Sequence, residues 1–113
     1  KFANLQGSAR MASLSGALGS VKSASAISHA ASIVANSNSV TIEGTAYTMI
    51  NGYPDDANIA DLANLAATDY TLANATNTLT VTLGTCSFTY ADAVNANTPP
   101  VISVITGDTS GSC

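Results

Sequence analysis

From Phe2 to Ala35 the chain runs without a proline, and Leu14, Leu18, Val21, Ala24, Ile27, Ala31 and Val34 recur every three or four residues. That spacing predicts one long helix with a buried side. A polar row at seven-residue intervals runs beside it: Lys1, Ser8, Ser15, Lys22, His29 and Asn36. At 1.5 Å per residue such a helix extends about 50 Å, which is long for a domain of 113 residues. Its first turns carry a second apolar series, Phe2, Leu5, Ala9 and Ala12. At 100° per residue this series lies roughly opposite Met11, Leu14, Leu18 and Val21, and one sheet cannot cover both faces. We therefore expect a partner outside the domain at that end, and a helix whose natural beginning lies upstream of Lys1.

Charged residues make up only 9% of the chain, against about 25% in an average domain. Ala, Ser, Thr, Asn and Gly take their place, giving a neutral, hydroxyl-rich surface suited to side-by-side packing or to exposure outside a cell. With three basic residues and a net charge of −4, the chain has little means of displacing counterions from nucleic acid. No run of 18 apolar residues is present, so no stretch of this sequence is expected to span a membrane.

The two cysteines, Cys86 and Cys113, are 27 positions apart and do not fit metal-ligand spacings. A disulfide closing the last quarter of the chain is the better reading than two free thiols. The loop-entropy model assigns it roughly 3.5 kcal/mol and implies an oxidising compartment.

After the helix, Asn36-Ser37-Asn38-Ser39 reads as a turn. Gly7, Gly16 and Gly19 weaken the helix by about 1 kcal/mol each relative to Ala, so packing must hold it. Val40–Glu43 and Ala46–Ile50 around Gly44-Thr45 predict a hairpin. Asn51 to Asp56 is a turn or loop, and Asp56 or Asn58 is placed to cap a short helix, Ile59–Leu65. Thr68 to Asn77 reads as polar connection; Thr78–Leu83 alternates strictly and turns at Gly84-Thr85 into Cys86–Tyr90. Ala91 to Thr98 is a loop. Pro99-Pro100 opens an extended edge segment, Val101–Thr106, and Gly107 to Cys113 reads as a flexible tail held by the disulfide. The expectation is a single α+β domain spanning 1–113. A helix over 1–36 comes first, then a hairpin, short helix and antiparallel sheet of four to five strands over 40–106, with a disulfide-bounded loop over 86–113. Leu14, Leu18, Val21 and Ile27 are the expected helix-to-sheet core.

This order resembles the type IV pilins. Lys1-Phe2-Ala3-Asn4-Leu5-Gln6-Gly7-Ser8-Ala9-Arg10 is similar to the mid-helix stretch of the mannose-sensitive haemagglutinin type of major pilin. So are Asn51-Gly52-Tyr53-Pro54 and the ending Thr109-Ser110-Gly111-Ser112-Cys113. The resemblance implies an αβ-roll fold, with the apolar first half of the helix, its peptidase cleavage site, methylated first residue and early glutamate all absent from this sequence. It implies a homo-oligomer, a helical filament of identical subunits on the bacterial surface serving adhesion or attachment, with motility as a further role of such pili. Such a subunit is anchored in the inner membrane and handled by assembly machinery there before polymerising. In that frame Phe2, Leu5, Ala9 and Ala12 pack in the filament, and the Cys86–Cys113 loop faces a surface or host ligand. A pseudopilin or minor pilin of a type II secretion or DNA-uptake system is the alternative, and a secreted binding domain the second. Secretion pseudopilins bind calcium in the corresponding C-terminal region, where this chain has Asp92 and Asp108, but usually lack the disulfide.

Residue chemistry points away from catalysis and from any cofactor. His29 is the sole histidine, expected to be solvated on the polar row, and Ser28 beside it faces elsewhere on a helix. Asp55, Asp56 and Asp61 lack the spacing of a calcium loop, so no metal is expected. Most of Tyr47, Tyr53, Tyr70 and Tyr90 are expected to be partly buried rather than to form an exposed aromatic cluster. Asn74-Ala75-Thr76 matches a glycosylation sequon in a chain rich in both residue types.

Overall fold

The computed structural model describes residues 2–113, with side chains from Gln6 onward. It is an α+β fold: helix α1 (Phe2–Ala35) packs on two antiparallel sheets. The first sheet contains β1 (Ser39–Ile42), β2 (Thr45–Ile50) and β3 (Tyr53–Pro54), in that order. A short helix, α2 (Ile59–Leu62), leads to the second, formed in sequence order by β4 (Thr71–Ala75), β5 (Thr78–Leu83), β6 (Cys86–Ala91) and β7 (Val101–Ile102). The helix sets the molecular length, 52 Å against 27 and 20 Å in the other directions.

Alternation in β5 and β6 directs Leu79, Val81, Cys86, Phe88 and Tyr90 inward. Cross-strand partners Leu79 and Tyr90, and Val81 and Phe88, share the face that meets the helix. Leu14, Ala17, Val21 and Ala24 come down on it, with Ile59 and Ala63 from the α2 region alongside. Leu14 and Val21 are fully buried, and Leu18 is partly buried against the same core.

Ile27 departs from the expected core: it is 65% exposed. The cause is phase. Val21, Ala24 and Ile27 follow one another by three residues, and each such step slips the stripe about 60° around the helix. The positions that keep facing inward are Ser25, Ser28 and Ser32, all buried. Their small side chains let the first sheet lie close to the last turns of α1.

The helix stops in a Schellman arrangement. Asn36 adopts φ 49°, its N–H donates to the Ile33 carbonyl at 3.1 Å, and the Ser37 N–H reaches back to the Ser32 carbonyl at 3.2 Å. Two-residue turns close the hairpins that follow, with both residues at positive φ in Glu43-Gly44, Asn51-Gly52 and Thr76-Asn77. Such turns match the right-handed twist of the strands they join. The first lies one residue earlier than expected, because Thr45 pairs with Ile42. The third makes residues 71–75 an edge strand, whereas the sequence suggested polar connection. The extended segment after Pro100 pairs only at Val101 and Ile102. Beyond it the Ser103 hydroxyl accepts the Thr89 N–H at 2.9 Å, and pairing resumes where Thr106 meets Ser87.

Gly107 shows how tightly the end of the chain is held. It has φ +90°, and a Cβ there would lie 2.1 Å from the Thr85 carbonyl oxygen, a backbone atom. Gly111 has φ +77° with open space around it. Gly107→Ala is expected to lower unfolding free energy by about 2–4 kcal/mol, combining strain and clash. Gly111→Ala carries the strain alone and should cost about 1 kcal/mol. Urea denaturation of the two variants side by side checks the difference.

Candidate functional site

Two surfaces concentrate the features that the sequence singled out. The first is the outward side of α1. Ala9 and Ala12 are exposed, followed along the helix by Gly16, Gly19, Ser23, Ala26 and Ala30. Ile27, Ile33 and Val34 continue it, at 65%, 64% and 88% exposure. The sequence placed the uncovered apolar side at the start of the helix; the structure extends it to the opposite end. The side chains of Phe2 and Leu5 lie outside the described residues. No described helix is long and apolar enough to cross a membrane.

The second surface is the end of the molecule where Cys86 and Cys113 are joined by a disulfide, with Cα atoms 5.4 Å apart. Both cysteines are buried in the core. Backbone contacts reinforce the bond. The Cys113 N–H donates to the Gly7 carbonyl at 3.1 Å, and the Thr85 N–H donates to the Cys113 carbonyl at 3.2 Å. A Cβ at Gly7 would lie 1.8 Å from the Ser112 hydroxyl oxygen, so the glycine leaves room for this approach. The residues expected to form a flexible tail instead make a small hairpin, Thr109 and Ser112 exchanging hydrogen bonds at 3.0 Å each. Arg10 folds against Gly84 beside it, its Nε buried. Within the enclosed segment Val94, Val101 and Val104 stand exposed at 80%, 64% and 74%.

His29 is not solvated as expected. Its ring stacks on Tyr53 with centroids 3.9 Å apart, and Nδ1 lies 2.8 Å from the Gly52 carbonyl. A carbonyl only accepts, so Nδ1 carries the proton. The seven-residue row drifts about 20° per repeat, which brings His29 from the polar side onto the rim of the first sheet. Ser28 is buried on the neighbouring face. An open groove of about 380 Å³ lies next to His29, lined also by Ser32, Asn36, Asn38 and Asn51. A second groove, of about 560 Å³, runs between α1, the β1–β2 hairpin and α2. In it the Tyr47 hydroxyl donates to Asp61, and this bond, first among several causes, raises the Tyr47 pKa. Tyr90 is fully buried and donates to the Pro54 carbonyl; Tyr53 and Tyr70 are half-buried.

The acids sort into separate roles. Asp55, rather than Asp56 or Asn58, starts α2: its carboxylate accepts the Asn58 N–H at 2.9 Å. Asn58 makes no side-chain cap and donates instead to the Thr48 carbonyl. Asn74 of the sequon donates to the Asp56 carbonyl at 2.7 Å. Asp108 accepts the Gly111 N–H at 3.1 Å, inside the terminal hairpin. Asp92 is buried, and its Oδ1 accepts the Asp56 N–H at 2.6 Å. Among the described residues no group of three His, Cys, Asp or Glu side chains is placed to hold a metal ion. Against known proteins, the chain matches no family model, no curated protein and no solved structure.

Two expectations follow. Replacing both cysteines by serine should lower stability by about 2–5 kcal/mol and release the Cys113–Gly7 contact, read as faster amide exchange over residues 106–113. Equal exchange in both proteins would contradict it. Burial, opposed by the Asp56 N–H and assisted by the charges of Asp56 and Asp55, pushes the Asp92 carboxyl up from 3.8 to about 6. A folded-state pKa above the unfolded one means that the folded chain binds the proton more tightly. This contribution therefore grows as pH falls from about 7 to about 4, by about 2 kcal/mol. Asp92→Asn keeps the acceptor for Asp56 and should remove that part of the pH dependence in urea titrations.

Proposed function

We propose that this chain is the globular part of a type IV pilin, a structural subunit that polymerises into an extracellular filament for attachment. The observation that carries this reading is the division of α1 into two unlike sides. The inner side holds a small α+β body whose far end is fastened by a disulfide. The outer side presents mainly small and apolar groups from Ala9 to Val34, along the length of a 52 Å body. Leaving such a row in water gains a monomer nothing; packed against equivalent helices it becomes a filament interior. Small residues allow close approach there, and the near absence of charge along α1 limits repulsion between stacked copies. The exposed valines of the disulfide-bounded segment, Val94, Val101 and Val104, remain available to an attachment ligand.

The role is one of assembly, with catalysis playing no part. Membrane anchoring and handling by inner-membrane machinery belong to the proposal through the pilin resemblance. The deciding experiment isolates the native protein by shearing it from producing cells, images it by electron microscopy and reads its N-terminal sequence. Filaments built of this chain, with an apolar segment and a methylated residue ahead of Lys1, are the expected result. A monomer in the soluble fraction whose native terminus is Lys1 would overturn it.

A further inference from the structure

The groove between α1, the β1–β2 hairpin and α2 is acidic, and the Tyr47 hydroxyl bonded to Asp61 leaves its negative charge uncompensated. Its apolar part is formed by Ala24, Ile27, Ile42 and Leu62, and two carboxylates, Glu43 and Asp61, line it as well. No basic side chain is among the lining residues. The whole chain divides in the same way: its three bases fall at Lys1, Arg10 and Lys22, and every acid at Glu43 or beyond. Arg10 is half-buried against the disulfide end, whereas Lys22 is exposed in mid-helix.

Around the helix Lys22 lies about 120–160° from Ala24, Ile27 and Ser28, the α1 residues that line the groove. It therefore stands on the opposite flank of α1 and does not reach the groove of its own chain. On the solvent side of that flank its i−3 and i+4 neighbours are small, Gly19 and Ala26, both exposed. Gly19 has nothing within 4 Å of where a Cβ would be. It costs the helix about 1 kcal/mol relative to Ala, and no contact among the described residues needs that concession. A second backbone or groove wall coming close to this flank does.

We propose that the groove is the socket for Lys22 of a second copy of this chain, its ammonium set between Glu43 and Asp61 and its neighbours Gly19 and Ala26 against Ile27, Ile42 and Leu62. The inference rests on the filament reading and adds a direction to it. Socket and lysine occupy opposite flanks, so the contact is heterologous: each copy offers a socket on one side and a lysine on the other. Repetition then gives an open helical array rather than a closed pair. At 560 Å³ the groove exceeds the volume of one lysine side chain, leaving room for the helix surface around it.

The test uses assembled material from producing cells, treated with a carbodiimide, which joins an ammonium to a carboxylate already in contact. The expected product is a dimer band on a denaturing gel whose cross-linked peptides join Lys22 to Glu43 or Asp61. Lys22→Arg should assemble like the parent, while Lys22→Glu should lower filament yield at least about tenfold, as reversal of a charge facing two carboxylates requires. Filaments that form normally in Lys22→Glu, or that link Lys22 only to other acids, overturn the socket and leave the filament reading intact. Failure of the parent chain to form filaments at all overturns both.

Discussion

Burial of Leu14 and Val21 against Val81, Phe88 and Tyr90 is the contact on which the other features depend. Without it α1 has little reason to be a helix: three glycines subtract about 3 kcal/mol from its propensity, and serines compete for their own backbone. Two fully buried aliphatic side chains return about 1.5–3 kcal/mol each, enough to offset the glycines. The contact also determines the phase of the helix, and so decides which residues face out. Ala12, Gly16, Gly19 and Ala26 are on the free side because Leu14 and Val21 are on the other.

Most of the architecture was legible because its signals were local. The strict alternation of 78–83, the Gly84-Thr85 turn and the helical period of residues 2–35 each announce one element, and all three are present. The disulfide was legible from arithmetic alone. What failed was long-range or competed with a local rule. The strand at 71–75 is an exposed edge with one half-buried residue, Leu72. Its sequence lacks the apolar alternation of a buried strand, and its existence depends on the Thr76-Asn77 turn, where threonine takes a φ usually left to Gly or Asn. Ile27 failed for the opposite reason. A hydrophobic residue at the next expected step reads as core, yet three-residue steps had already carried the stripe off the sheet.

The outer surface was half legible. Its start at Ala9 and Ala12 stood out because a second apolar series opposed the first. Its continuation through Ile27, Ile33 and Val34 was hidden, since the sequence shows an isoleucine without showing which neighbour covers it. The buried serines carry the missing information: a helix that turns Ser25, Ser28 and Ser32 inward must turn its larger apolar residues outward. His29 illustrates the same coupling from the polar side, being carried by heptad drift from an expected solvent position onto the ring of Tyr53.

The fastening of the chain's end has a consequence for any assembly that α1 enters. The Cys113 backbone bonds to Gly7, so the segment bounded by the disulfide is tied to the helix directly as well as through β6. A load applied along α1 would pass to that segment by a short covalent and hydrogen-bonded route, through Cys113 to Cys86 and the centre of the second sheet. Disulfides resist separation on a scale that hydrogen bonds do not, and the glycines at 7, 84 and 107 allow the backbones to approach closely enough for both kinds of bond to form at one place. In the proposed filament, a helix face of mainly small residues and a covalently closed chain end would answer one mechanical requirement: subunits that pack closely and do not come apart internally when the array is pulled.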